Sequence, residues 1–151
     1  MFSLTNTFIT IDELVDSPIW APGAAPSKRT IHTWVRSLGM PRHKCGRLTW
    51  YCETEIYHFL LKHFRCPRRR RAQILIFSKT LRYPDLITFQ RLRESLIWTA
   101  EAAPSQRTLR SWIATDAIPY FRIGHTLYFN VDIVRYCLGS AFDAAPEADA
   151  A

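Results

Sequence analysis

Residues 27–60 read SKRTIHTWVRSLGMPRHKCGRLTWYCETEIYHFL, and 78 positions later residues 105–138 read SQRTLRSWIATDAIPYFRIGHTLYFNVDIVRYCL. The register extends upstream without a gap, so residues 8–60 align with 86–138. Ile9/Ile87, Thr10/Thr88, Leu14/Leu92, Ser17/Ser95, Trp20/Trp98, Arg29/Arg107, Trp34/Trp112, Pro41/Pro119 and Gly46/Gly124 are identical pairs. Ungapped likeness over such a length is improbable by chance, and it marks two copies of one unit. Two copies are too few for a solenoid, so each is expected to carry its own small core.

Each copy carries start and stop signals. Thr10-Ile-Asp-Glu13 fits a capping box, in which the Thr hydroxyl and the Glu carboxylate satisfy backbone donors at a helix start. In the second copy Arg91 takes the acid's place, leaving Thr88 as the cap. The first helix is expected to end near Asp16. An irregular apolar loop follows, SPIWAPGAAP or SLIWTAEAAP, whose Trp20 and Trp98 are expected to plug the core. Ser27 and Ser105 are good N-caps for a second helix. Ile31, Trp34, Val35 and Leu38 share one face of it at helical spacing, as do Leu109, Trp112 and Ile113 in the other copy. Gly39 and the prolines beyond it stop the helix. Gly46-Arg47 and Gly124-His125 each read as a two-residue loop with Gly first, which suits a type II′ hairpin. A third helix is expected to carry Ile56, Phe59, Leu60 and Phe64 on one face. Its counterpart presents Ile133, Val134, Cys137 and Leu138 and is capped by Asn130.

Helix, turn, helix, hairpin, helix is the order of a small winged-helix unit. Ser27, Lys28, Arg29, Thr30, Trp34, Pro41, Lys44, Gly46 and Arg47, with Ser105, Gln106, Arg107, Thr108, Trp112, Pro119, Arg122 and Gly124, resemble the winged helix-turn-helix of the MerR-like/excisionase family. The resemblance covers most of both copies. It implies a mainly α chain with small β-hairpin wings (α+β), organised as tandem winged helix-turn-helix modules at residues 1–64 and 86–139; the repeat and composition leave a basic connector at 65–85 and a disordered acidic tail at 140–151, which the resemblance does not cover. The loops at 17–26 and 95–104 are longer than the family's usual turn, and tandem duplication departs from single-module excisionases.

In such modules the second helix enters the major groove and the hairpin lies along a neighbouring backbone. The resemblance therefore implies DNA contacts from Arg29 and Arg107, which can grip phosphate or guanine bidentately. Ser27, Thr30, Ser105 and Thr108 would bond phosphates near the helix N-termini. Lys28 belongs to the same basic face. His32, Thr33 and Arg36, with Arg110 and Ser111, are the candidates for base readout. Lys44, Arg47, Arg122 and His125 would serve the wings. Arg68, Arg69, Arg70 and Arg71 form the densest positive run, suited to a backbone track or a narrow minor groove. The bland alternative for each is a solvated polar face, but the recurrence of Arg-Thr at both helix starts beside basic hairpins favours contact.

Charge supports a polyanionic partner. The 151 residues hold 20 Lys+Arg against 13 Asp+Glu, a net +7 with a pI near 9.6,. Residues 27–71 contain twelve Lys/Arg against two acids, whereas residues 86–139 contain six against four. Counterion release makes the first stretch the stronger source of non-specific affinity. With 48% apolar residues the chain has material for a packed core,. No apolar run approaches the ~20 residues that cross a bilayer. The sequence reads as a cytoplasmic, nucleoid-associated protein whose Cys45, Cys52, Cys66 and Cys137 are reduced thiols.

His43, Cys45, Cys52 and His58 fit no zinc spacing. No Gly-rich phosphate loop or catalytic constellation is present, so neither cofactor nor metal nor catalysis is expected. The leading expectation is a sequence-specific double-stranded DNA-binding protein. It would serve as an excisionase-like recombination directionality factor or a transcription regulator of a mobile element, with a recombinase or the transcription machinery as possible partner. Its two readers would form an intramolecular pseudo-dimer. The alternatives are a protein-interaction adaptor or inhibitor, and a phage small terminase-like subunit.

Overall fold

The computed structural model describes residues 4–80 and 84–139. It is a mixed α+β fold, 44% helical and 18% strand. The tail at 140–151 lies outside the described residues, as does the part of the connector at 81–83.

The first copy begins with β1 (Phe8–Ile9) and α1 (Ile11–Val15). Thr10 caps α1 with both halves of the capping box formed, its hydroxyl accepting from the Glu13 amide. The loop then leads to α2 (Lys28–Leu38), which Ser27 caps by accepting from the Thr30 amide at 3.1 Å. Gly39 closes α2 with φ +74°, a left-handed turn that a Cβ would strain,. Strands β2 (His43–Cys45) and β3 (Leu48–Cys52) pair Cys45 with Leu48 across Gly46-Arg47. Gly46 alone of the two has positive φ, +60°, as the expected type II′ turn requires,. Helix α3 is Glu53–Leu61.

The third helix was expected to include Phe64, and here the structure differs. Helix α3 ends at Leu61, and Phe64 opens β4 (Phe64–Arg65), which pairs with the second copy's sheet. Phe64 is buried by a strand partner that lies far along the chain, and helical spacing within α3 cannot register that. A 3₁₀ turn at Arg68–Arg70 and helix α4 (Arg71–Ser78) follow. Ile74 is fully buried, whereas Ile76 is 65% exposed.

The second copy repeats the order with β5 (Ile87–Thr88), α5 (Phe89–Arg93), α6 (Gln106–Ala114), β6 (Tyr120–Ile123) and β7 (Thr126–Phe129). A helix, α7, covers residues 131–139. Ser105 caps α6, and Asn130 caps α7 by accepting from the Ile133 amide at 2.9 Å. The first copy's sheet runs β1-β3-β2; the second's runs β4-β6-β7-β5, with the first copy supplying β4.

The two copies do not carry separate cores. One apolar cluster joins Leu14, Ile31, Trp34, Ile56 and Phe64 of the first copy to Phe121, Ile123, Tyr128 and Ile133 of the second. A second cluster centred on Leu92, Leu109 and Phe129 takes in Ala21 and Ala24 from the first copy's loop. That loop is hydrogen-bonded across the junction: Leu86 N–H donates to Ile19 at 2.8 Å and Ala21 N–H to Leu86 at 2.9 Å. A unit of some fifty residues is only marginally stable by its own buried surface, and fusing the two cores raises the fraction of surface that folding buries. Among the described residues no helix is long and apolar enough to cross a membrane.

Candidate nucleic-acid interface

Helix α2 positions the strongest basic stripe. Its apolar side, Ile31 and Trp34, is buried, so the register turns Arg29, His32, Thr33 and Arg36 outward, and all four are exposed. Their spacing of three, four and seven residues places them on one face. Arg29, His32 and Arg36 form no ion pair among the described residues, which leaves their charge and donors directed at solvent. Thr33 spends its hydroxyl on the Arg29 carbonyl at 3.0 Å. Lys28 is exposed but pairs with Asp12 of α1.

Ser27 and Thr30 were expected to offer hydroxyls to phosphate. Ser27 Oγ instead accepts the Thr30 amide and lies 3.0 Å from Thr30 Oγ1. One of the two hydroxyl protons is shared between them, and the other remains for an anion. Ser105 and Thr108 repeat the arrangement at 2.9 Å.

Lys44 and Arg47 are exposed on the first hairpin. A cleft between the end of α2 and this hairpin is lined by His32, Arg36 and Arg42, bringing the helix stripe and the hairpin base together. Arg42 is the residue that sequence reasoning missed. Its signal was available in its place directly after the helix-stopping Pro41, at the entry to a basic hairpin. Its guanidinium also partly offsets the rise that burial causes in the Tyr51 phenol pKa.

Arg68 and Arg69 are exposed on the 3₁₀ turn, with Arg70 half-buried. Arg71 opens α4 and approaches Cys66 Sγ at 4.0 Å. The buried thiols of Cys66 and Cys137 both have raised pKa values, chiefly through burial, which disfavours the thiolate,.

The second copy's residues are similarly outward. Arg107, Arg110 and Ser111 are exposed on α6, but the Arg110 guanidinium lies over the Phe89 ring at 5.1 Å. Arg122 and His125 are exposed on the β6–β7 hairpin, with Arg122 set 5.8 Å from the Tyr120 ring. The Gly124 turn of this hairpin lies against Leu38 and Trp34 of α2. The second hairpin thus abuts the back of the first basic helix, whereas the first hairpin has no equivalent neighbour.

Of the four sulfur and imidazole groups near the first hairpin, His43 bonds Glu55 at 2.8 Å, Cys52 is buried and Cys45 exposed. Among the described residues no three potential metal ligands gather. A cleft at the junction is lined by Asp16, Asp85 and Asp132 beside Trp20, a sign of charge that repels phosphate. No family model, curated protein or solved structure matches the chain.

Proposed function

We propose that the chain is a double-stranded DNA-binding protein that reads sequence with two winged helix-turn-helix units, as a recombination directionality factor or a transcription regulator of a mobile element. One observation carries the reading. Helix α2 presents Arg29, His32 and Arg36 as an exposed stripe without acidic partners, continuous through Arg42 with a basic hairpin. A helix so furnished matches major-groove geometry, with the hairpin reaching the adjacent backbone. The Arg68–Arg71 run adds a second positive surface on the connector, and part of the stripe recurs on α6 as Arg107 and Arg110, with Ala114 in the place of Arg36.

Gel shifts on random duplex across a salt series, followed by selection of binding sites, test this function. Affinity should fall linearly on a log–log salt plot, and selection should enrich a defined site. Negligible binding at low salt, or unchanged binding by the Arg29→Ala/Arg107→Ala protein, overturns the reading.

A further inference from the structure

We propose that the protein self-associates head to tail, through a contact between molecules that repeats the one between its two copies. Within the chain, the first copy covers both edges of the second copy's sheet. Strand β4 pairs with β6, and the loop around Trp20 bonds Leu86 just before β5. The face of that sheet is covered too, since Tyr128 packs 5.3 Å from the Trp20 ring and 6.2 Å from that of Trp34. In the first copy's own sheet β1 and β2 are the outer strands, and among the described residues no further strand pairs with either.

Moving this interface by the 78-residue repeat predicts the occupant. Leu86 and Tyr128 become Phe8 and Trp50 of one molecule; Trp20 and Trp34 become Trp98 and Trp112 of the next. Each of these counterparts keeps some exposed surface: Phe8 is 59% exposed, and Trp50, Trp98 and Trp112 are half-buried. Phe8 stacks on Trp50 with ring centres 6.2 Å apart, so the donor face is already assembled.

The charges change in a complementary way. Inside the chain the Gly124 turn abuts Leu38; between molecules Gly46-Arg47 would abut Asp116. The Tyr57–Phe121 ring contact inside the chain becomes Arg135 opposite His43, which holds the Glu55 carboxylate at 2.8 Å. The apolar contact of the Gly124 turn with Leu38 is thus replaced between molecules by the opposite charges of Arg47 and Asp116, as suits a reversible contact rather than a permanent one,.

Because donor and acceptor are different surfaces, the contact is heterologous and is not satisfied by a twofold dimer. This inference does not rest on DNA binding. It is tested by sedimentation equilibrium of the full chain. The average mass should rise above 17.6 kDa with concentration. Phe8→Asp and Trp98→Ala alter side chains outside both buried clusters, so each should fold and remain monomeric alone. Mixed in equal amounts, each supplies the end the other lacks, and the mixture should form dimers and nothing larger. A wild-type protein that stays monomeric up to about 1 mM overturns the inference, since a contact weaker than that carries little free energy. Growth by either variant alone, or a monomeric mixture, overturns it as well.

Discussion

Residues 17–26 and 95–104 are the same loop folded twice, with opposite surroundings. In both, the tryptophan indole N–H donates to the carbonyl of the leucine six residues back, Trp20 to Leu14 at 3.1 Å and Trp98 to Leu92 at 2.9 Å. In both, the ring lies beside the tryptophan of the following helix. Yet Ile19 and Trp20 are 0% and 4% exposed, whereas Ile97 and Trp98 are half-buried. Local sequence dictates the loop's shape; the second copy, lying against the first loop only, dictates its burial.

The largest effect that this contrast predicts is on stability. Trp20→Ala removes a ring shared by both halves and should cost about 3–5 kcal/mol, while Trp98→Ala, acting on a half-exposed ring, should cost about 1–2. Denaturant unfolding midpoints measure both. Equal losses would mean that the halves unfold separately, and the shared core would then contribute little.

Glu53 sharpens the comparison further. Its buried carboxylate accepts from the Thr5 amide at 3.3 Å, from the Thr5 hydroxyl at 2.9 Å and from Ser17, tying the chain before β1 and the start of the loop to α3. Val131 stands at the corresponding place. There the neighbouring Asn130 takes over, donating its amide to the Pro84 carbonyl while capping α7. Glu53→Ala takes the acceptor from the buried Ser17 hydroxyl and should cost about 2 kcal/mol, read from the same unfolding curves,.

The basic helices differ by a smaller amount. Arg29 sits within the twelve-cation stretch and Arg107 within the weakly basic one. Under the DNA-binding reading, Arg29→Ala should weaken affinity about tenfold and Arg107→Ala only several-fold. Each should reduce the log–log salt slope by about 1 if it neutralises a phosphate. Titration of a selected duplex at several salt concentrations measures both numbers. An Arg107 effect exceeding that of Arg29 would reverse the assignment of the dominant helix.

What could be read in sequence was what lies within one copy. Ser27, Gly39, Gly46 and Asn130 announce caps and turns because each satisfies a local geometric need. The outward stripe of α2 follows from the period of Ile31 and Trp34. What could not be read was what one copy does to the other. Phe64 looks helical by spacing and is a strand because β6 offers an edge. His43 and Phe121 occupy the same position of the repeat, one on the surface bonded to Glu55 and one in the shared core. A repeat alignment equates them, and only the asymmetric packing of the two copies separates them.

The smallest predicted effect reports on that packing through a proton. His63 lies in the turn between α3 and β4, and its carbonyl accepts the Arg122 amide at 3.0 Å, one of the backbone links between the copies. Burial, with the nearby charges of Arg65 and Lys62, holds its pKa below the ordinary 6.5. As pH falls from neutrality, the unfolded chain therefore takes up the proton first. The stability tied to neutral His63 is fully present above about pH 6.5 and is lost as pH falls through the lower folded-state value. The repeat counterpart of His63 is Ala141, so the second copy carries no histidine at this place. His63→Asn should lessen the drop in Tm between pH 7 and 5 by on the order of 1–2 °C. A drop that is unchanged in the variant would place the acid sensitivity elsewhere.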